Sequence, residues 1–585
     1  DMKNVFTSLL TSATPLDATQ KDTLEQLLRE YQLPGDVTIT MKETAMLVVK
    51  FLTEQGKADE ASALLKTPAD VLRYLWYEKT GYVQIIEPKT LVAHAGKMYR
   101  HMCGPLDRSE DAAQEMKKKL MLKYNRKACL RAAKWLNATQ LSAEQAAENM
   151  NPKRGMLVRM IRALRLAEYS HKKGMEHLAE ILDVFYRQDY STWQGRVDKA
   201  RLHNDADKTL SLLKERPGLF ARCLFASMLR FGSDKMLSAF NEIADRLPAR
   251  LLLSLGNAAE TYFDPKETRL ARPITGVTHK IEANKLLALY NDDTRKAMVA
   301  DVMNIYKASM LRRFSVQKTK SKTVYIGPAL YNIPVSVGDR ATTIQDTSCA
   351  LMGTRFPIEG DTVRLFMQWG KGLPAQHLDM DLSCSIALPN DEVAECVYYN
   401  LTCTGAKHSG DIRSIPDMVG TAEYVELSLP ELQEAQAKYV TFTCNAYSCG
   451  SLSPNLVVGW MNSAYPMTVS EEKGVAYDPS CVQHMVRISE GNLTKGLVFG
   501  VLDVARREII WLEMPFTAQT LRGANSASVE ALLHKLEAKL SVGELVEMKA
   551  KAQNLAIVAS AEDADEAYTY EWALNPADVT KLLYM

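Results

Sequence analysis

The sequence predicts a multidomain α+β protein: an all-α N-terminal half of helical hairpins, loosely HEAT-like, then an antiparallel β-sandwich, then a small α/β tail. Three observations carry this. The chain of 585 residues is longer than one hydrophobic core supports, so two to four domains are expected. Apolar residues recur at helical spacing to about residue 315. From Asp361 onward they recur every second residue, between frequent turn signals. The boundaries that follow are 1–318, 319–516 and 517–585.

In the helical half, Leu24, Leu27 and Leu28 form a stripe that Pro34-Gly35 ends. Thr67-Pro68 opens the next clear helix, with Val71, Leu72, Leu75 and Trp76 on one face. A later stripe is Leu178, Ile181, Leu182 and Phe185. Another helix opens at Glu215-Arg216-Pro217-Gly218 and runs through Leu224, Met228 and Leu229. A last helix is expected over roughly 293–313. No strict repeat period is visible, and the short loops predict antiparallel neighbours.

Thr323 to Ile326 and Tyr331 to Val335 read as short strands. Val363, Leu365, Met367 and Trp369 then alternate with Thr362, Arg364, Phe366 and Gln368, and Leu382, Cys384, Ile386 and Leu388 alternate with Ser383 and Ser385. Val440, Phe442, Cys444 and Ala446 make a third such face, and His484, Val486 and Ile488 a fourth. Residues 497–504 and 508–514 flank a turn as a hairpin. The tail reads as a helix over Val529, Leu532, Leu533 and Leu536, a shorter helix, a strand at Leu555-Ala556-Ile557-Val558, and a closing helix after Pro576.

Composition excludes more than it selects. A net charge of +1 gives no global attraction to nucleic acid or anionic lipid. No apolar run reaches the length of a membrane span, so no membrane partner is expected. Ten cysteines without a Cys-x-x-Cys pair point to free thiols, a reducing compartment and hence the cytoplasm. No phosphate loop, nucleophile elbow or His-Glu-x-x-His zinc motif is present. The protein is therefore expected not to be an enzyme. The remaining catalytic alternative is a hydrolase with His377 or His408 as base beside a metal-bound water.

The chemistry-bearing stretch is His377-Leu378-Asp379-Met380-Asp381, followed by Asn400 and by His408-Ser409-Gly410-Asp411. Residues two apart on a strand share a face, so Asp379 and Asp381 point the same way. Like charges that close call for a cation, a basic partner or full solvation. Asp379, Asp381 and Asp411 would supply carboxylate oxygens to Ca2+, with Asn400, Ser409 and loop carbonyls completing the shell and Glu423 a further candidate. Solvated rim acids are the alternative on spacing alone. Cys396, Cys403 and His408, with Cys384 or the Cys481 and His484 pair, match no zinc spacing, and buried thiols are the favoured account. In the helical half, Lys117, Lys118, Lys119 and Lys123 open a basic zone, and Arg159, Arg162 and Arg165 share a helix face. That face is either solvated or a docking surface for nucleic acid or an acidic partner.

Leu378-Asp379-Met380-Asp381-Leu382-Ser383, Val397-Tyr398-Tyr399-Asn400-Leu401, His408-Ser409-Gly410-Asp411 and Glu423-Tyr424-Val425-Glu426-Leu427 together resemble the TerD-like domains of bacterial tellurium-resistance and stress-response proteins. The resemblance implies a β-sandwich that binds Ca2+. It places Asp379, Asp381 and Asp411 at ligand positions and Glu423 where the family closes its site. The family's acidic loop is here Gly420-Thr421-Ala422-Glu423, which lacks two carboxylates and implies calcium binding that is weak or lost. Glu215 to Arg222, Tyr325 to Leu330, Val457 to Met461 and Asn575 to Asp578 resemble a large bacterial family joining a helical region to such a domain, often behind a RING finger. The resemblance supplies a stress-response context, and the function expected is that of a non-enzymatic cytoplasmic binding or scaffold protein with a rim site for Ca2+ or a small ligand on the sandwich and other proteins of such a complex as partners. The alternative function is an assembly protein docking protein or nucleic acid through the basic helices.

Overall fold

A computed structural model describes residues 2–12, 16, 18–103, 109–271, 279–335, 352–371, 378–447, 456–488, 496–516, 524–574 and 576–584. His377, Cys349, Cys449 and Asn575 lie outside them. The architecture is multidomain α+β: a helical half, antiparallel sheets, and a small tail of helices and strands.

Local signals explain the helices. Thr67 caps the helix Pro68–Thr80 by accepting the Asp70 N–H, Pro68 fills its first turn, and Gly81 ends it in the left-handed region. Its predicted face, Val71, Leu72, Leu75 and Trp76, is buried. The helices Glu176–Arg187 and Pro217–Phe231 likewise bury their predicted stripes. The last long helix is Asp292–Val316, started by the Asn291 cap. These helices close around two cores, one from Phe6 to Phe185 and one that begins at Trp193. Glu148 ties the two together, accepting from the Trp193 N–H and from Arg216. No described helix is long and apolar enough to cross a membrane.

The first strands are a short ribbon, β1 (Arg269–Ala271) with β2 (His279–Ile281), and then β3 (Thr323–Ile326). The sandwich follows: β4 (Arg355–Pro357), β5 (Thr362–Trp369), β6 (Met380–Ala387), β7 (Val393–Cys396), β8 (Thr402–Cys403), β9 (Ala406–His408), β10 (Thr421–Ser428), β11 (Tyr439–Ala446) and β12 (Val457–Met461). A small ribbon, β13 (Met467–Ser470) with β14 (Gly474–Tyr477), precedes β15 (Val482–Arg487), β16 (Gly496–Asp503) and β17 (Glu508–Phe516). One six-stranded sheet has the order β15-β12-β5-β10-β9-β8, and the other β4-β17-β16-β11-β6-β7. The predicted alternating faces of β5, β6 and β11 meet between the sheets.

Both outer faces are covered as well. Phe366, on the far side of β5, packs with Met461 and Met467, and Tyr477 of the β13–β14 ribbon lies against its ring at 5.2 Å. On the other sheet, Val498, Val501, Ile510 and Leu512 are capped by Val529, Leu533 and Leu536 of the helix Ser526–Glu537. The helix that follows, Val542–Gln553, is as long as this one rather than shorter.

The start of the 319–516 span is not part of the sandwich. β3 lies between β18 (Ala556–Val558) and β19 (Glu566–Tyr568), parallel to both. Tyr331 to Val335, expected as a strand, contains the end of a 3-10 turn over Pro328–Asn332, which Pro328 opens with its fixed backbone angle. Pro334 then bridges to Ser541. Val324, Ile326, Leu330 and Ile333 join Leu540, Val542, Leu545 and Leu583 in the second helical core. The tail thus completes the helical half, and the sandwich is inserted between β3 and that tail. Tyr570 links the two by donating its hydroxyl to the Arg355 carbonyl.

Gly420 precedes β10 with φ of 75°, and a Cβ there would sit 2.4 Å from the Trp369 carbonyl oxygen. Gly420→Ala is therefore expected to cost at least ~1–3 kcal/mol. The check is a thermal melt, in which an unchanged midpoint would refute this close-packing account.

Candidate metal centre

The strand register builds the site from three segments. Asp379 stands just before β6, and its carbonyl accepts the Tyr447 N–H at 3.0 Å. Asp381 is the second residue of β6, opposite Asn445 of β11. Asp411 sits on the loop after β9, in the facing sheet. One oxygen from each of these carboxylates falls within 4.8 Å of the others. That spread matches a Ca2+ oxygen shell, whose diameter is about 4.6–5.2 Å.

Burial makes the cluster demanding. Asp381 is only 4% exposed, and its side chain has no hydrogen-bond or ion-pair partner among the described residues. Asp379 Oδ1 and Asp411 Oδ1 are buried without a donor. Unpaired buried carboxylate oxygens are costly. Desolvation, reinforced by Asp411, pushes the Asp379 carboxyl up to about 6. Desolvation, reinforced by Asp379 and Asp411, pushes Asp381 up to about 7. Arg413 lies beside the site: its Nε donates to Asp411 Oδ2 at 2.8 Å, but its side chain is largely solvated. All donors are hard oxygens, so the set fits a divalent cation such as Ca2+ and not a thiophilic metal.

Glu423 is not in the three-oxygen cluster. It is fully buried on β10, and both its oxygens are engaged by backbone amides: Oε2 by Leu382 N–H at 2.9 Å and Oε1 by Ile412 N–H at 3.0 Å. It therefore braces β6 against the loop that carries Asp411. Burial holds its carboxyl well above the usual range. His408 completes the brace. Its Nδ1 accepts the Gly410 N–H at 3.0 Å, which leaves the hydrogen on Nε2, donated to the Leu382 carbonyl at 2.8 Å. Burial lowers its pKa, consistent with this neutral ring. With both ring nitrogens engaged, His408 has none to offer a substrate or metal.

The other sequence candidates are placed elsewhere. Ser409 locks the loop to β10, since its Oγ accepts the Tyr424 N–H and its own N–H donates to the Tyr424 carbonyl. Asn400 closes the exposed 397–400 turn and donates to the Glu395 carbonyl. Cys384 and Cys396 face each other across β6 and β7. Cys481 and His484 stand at the opposite edge of the other sheet from Cys403. Thr421 and Ala422, where the resembled loop has acids, are buried inside β10. Arg159 and Arg162 are exposed on the helix Arg154–Ala163, while Arg165 begins the next short helix with φ of 53°. Sequence reasoning missed that Glu423 and His408 are braces. A carboxylate at an inward position of a strand, beside Val425 and Leu427, was the available signal.

Without a bound cation the cluster has a pH signature. Both aspartates have raised folded pKa values, so the native state holds protons that the unfolded chain has lost. The stability from these groups is fully present below about pH 4 and is lost as pH rises through 6 and 7. Asp379→Asn with Asp381→Asn is expected to remove this slope, measured by chemical denaturation at several pH values in EDTA.

The chain matches no protein-family model. It matches no curated protein either.

Proposed function

We propose that the sandwich is a Ca2+-binding module of TerD-like type, carried by the helical half in a non-enzymatic, cytoplasmic binding protein of a stress-response system. The observation that carries the metal part is the convergence of three largely buried carboxylates from two facing sheets, with Oδ1 of Asp379 and of Asp411 lacking any donor and only Asp411 Oδ2 held by an arginine. Repulsion and desolvation make that arrangement unfavourable when ionised and empty, and a divalent cation would remove both costs. The stress-response part is supported by the resemblance of the motifs around Asp379, His408 and Glu423. Glu423 and His408 support the module by holding Asp411 in place rather than by catalysis.

Tb3+ is a direct probe of the module. The Trp369 indole donates to the Leu378 carbonyl, one residue before Asp379, so its excitation would sensitise a lanthanide held by the aspartates. Sensitised emission that Ca2+ quenches by displacement is the expected result. Emission that persists in Asp379→Ala with Asp381→Ala would place the ion elsewhere and reject the site.

A further inference from the structure

A second site lies in the helical half. A hollow of about 410 Å³ opens between the end of the helix Ser109–Lys119 and the helix Arg154–Ala163. Lys117, Arg159 and Arg162 line it together with Leu120, Met121 and Leu122, and no acid does. Its size falls in the small-molecule range, and its apolar wall carrying a few charged groups is the usual make-up of such sites.

Among the described residues the three cations have no counter-charge. Among the described residues none of them forms an ion pair, and the one hydrogen bond they make is from Arg159 to the Met156 sulfur at 3.8 Å. Three other arginines of this half are engaged. Arg131 holds Glu78, Arg216 holds Glu148, and Arg154 is bonded to the Phe185 carbonyl and the Tyr190 hydroxyl. Arg159 and Arg162 lie three apart on one helix, where like charges repel, and Lys117 adds a third charge from a different helix. Unpaired cations brought together beside an apolar wall form an anion site.

We propose that this hollow binds a nucleoside diphosphate. A diphosphate ester brings about three negative charges to the three cations. Guanidinium groups take phosphate oxygens in bidentate fashion, and a flat base would pack on Met121 and Leu122 beside them. A hollow of this volume matches one nucleotide.

Calorimetric titration of the full chain in EDTA tests this with three probes: ADP, inorganic pyrophosphate and a 20-residue single-stranded RNA. ADP is expected to bind at one saturable site, more weakly as salt rises. Arg159→Gln with Arg162→Gln, both exposed and with circular dichroism confirming the fold, is expected to weaken ADP by at least ~10-fold. Met121→Ala is expected to weaken ADP and leave pyrophosphate unchanged. Absence of ADP binding overturns the proposal. So does equal binding of pyrophosphate and ADP with Met121→Ala silent, and so does binding of RNA alone.

Discussion

Saturating Ca2+ at pH 8 is expected to raise the melting temperature of the sandwich, and Asp379→Ala with Asp381→Ala is expected to abolish that rise. An ion at a hundredfold excess over its dissociation constant stabilises by ~2.7 kcal/mol, a shift of several degrees for a unit of this size. In the metal-free state the double variant is expected to melt no lower than the parent, because it loses buried charge and mutual repulsion rather than a bond. The rise should also fade as pH falls through 7 and 6, since protons then compete for Asp381 and Asp379. A parent protein indifferent to Ca2+ sinks the metal centre, and an unchanged shift in the double variant sinks this location for it.

Glu423→Gln is expected to destabilise the sandwich by ~1–3 kcal/mol although it changes few atoms. The carboxylate accepts two backbone amides, from Leu382 and Ile412. A carboxamide accepts at its oxygen only, so its NH2 group must face one of those N–H donors in a dry interior. Glu423→Ala removes both acceptors and leaves a void, and about 3 kcal/mol or more should be lost. Both variants should also weaken any ion at Asp411, whose loop the glutamate anchors. Urea denaturation gives the number, and a Glu423→Gln midpoint equal to the parent's would mean the two amides do not depend on this acceptor.

What was legible in the sequence is what one segment says about itself. The period of two in Val363 to Trp369 named the inward face of β5, and the stripe of Leu178 to Phe185 named a helix face. Asp379 and Asp381 were on one side of a strand because alternation requires it. Partners were less legible, because periodicity reports a face and not what covers it. The pairing of β3 with β18 and β19 links segments far apart in sequence, and Thr323 to Ile326 carries no mark of it. The 3-10 turn opened by Pro328 takes up the start of an expected strand and leaves it a single bridge, from Pro334 to Ser541. Lys117 meets Arg159 and Arg162 only through the packing of separate helices.

The insertion of the sandwich sets the order in which the molecule can mature. β3 is synthesised with the helices but gains its neighbours only when residues 556–568, more than two hundred positions later, have left the ribosome. Until then Val324, Ile326 and the helix Asp292–Val316 expose apolar surface that the tail later covers. The helical half therefore cannot finish folding first, as vectorial synthesis would otherwise favour, and the nascent chain carries an open, chaperone-accessible face while the inserted sandwich is made.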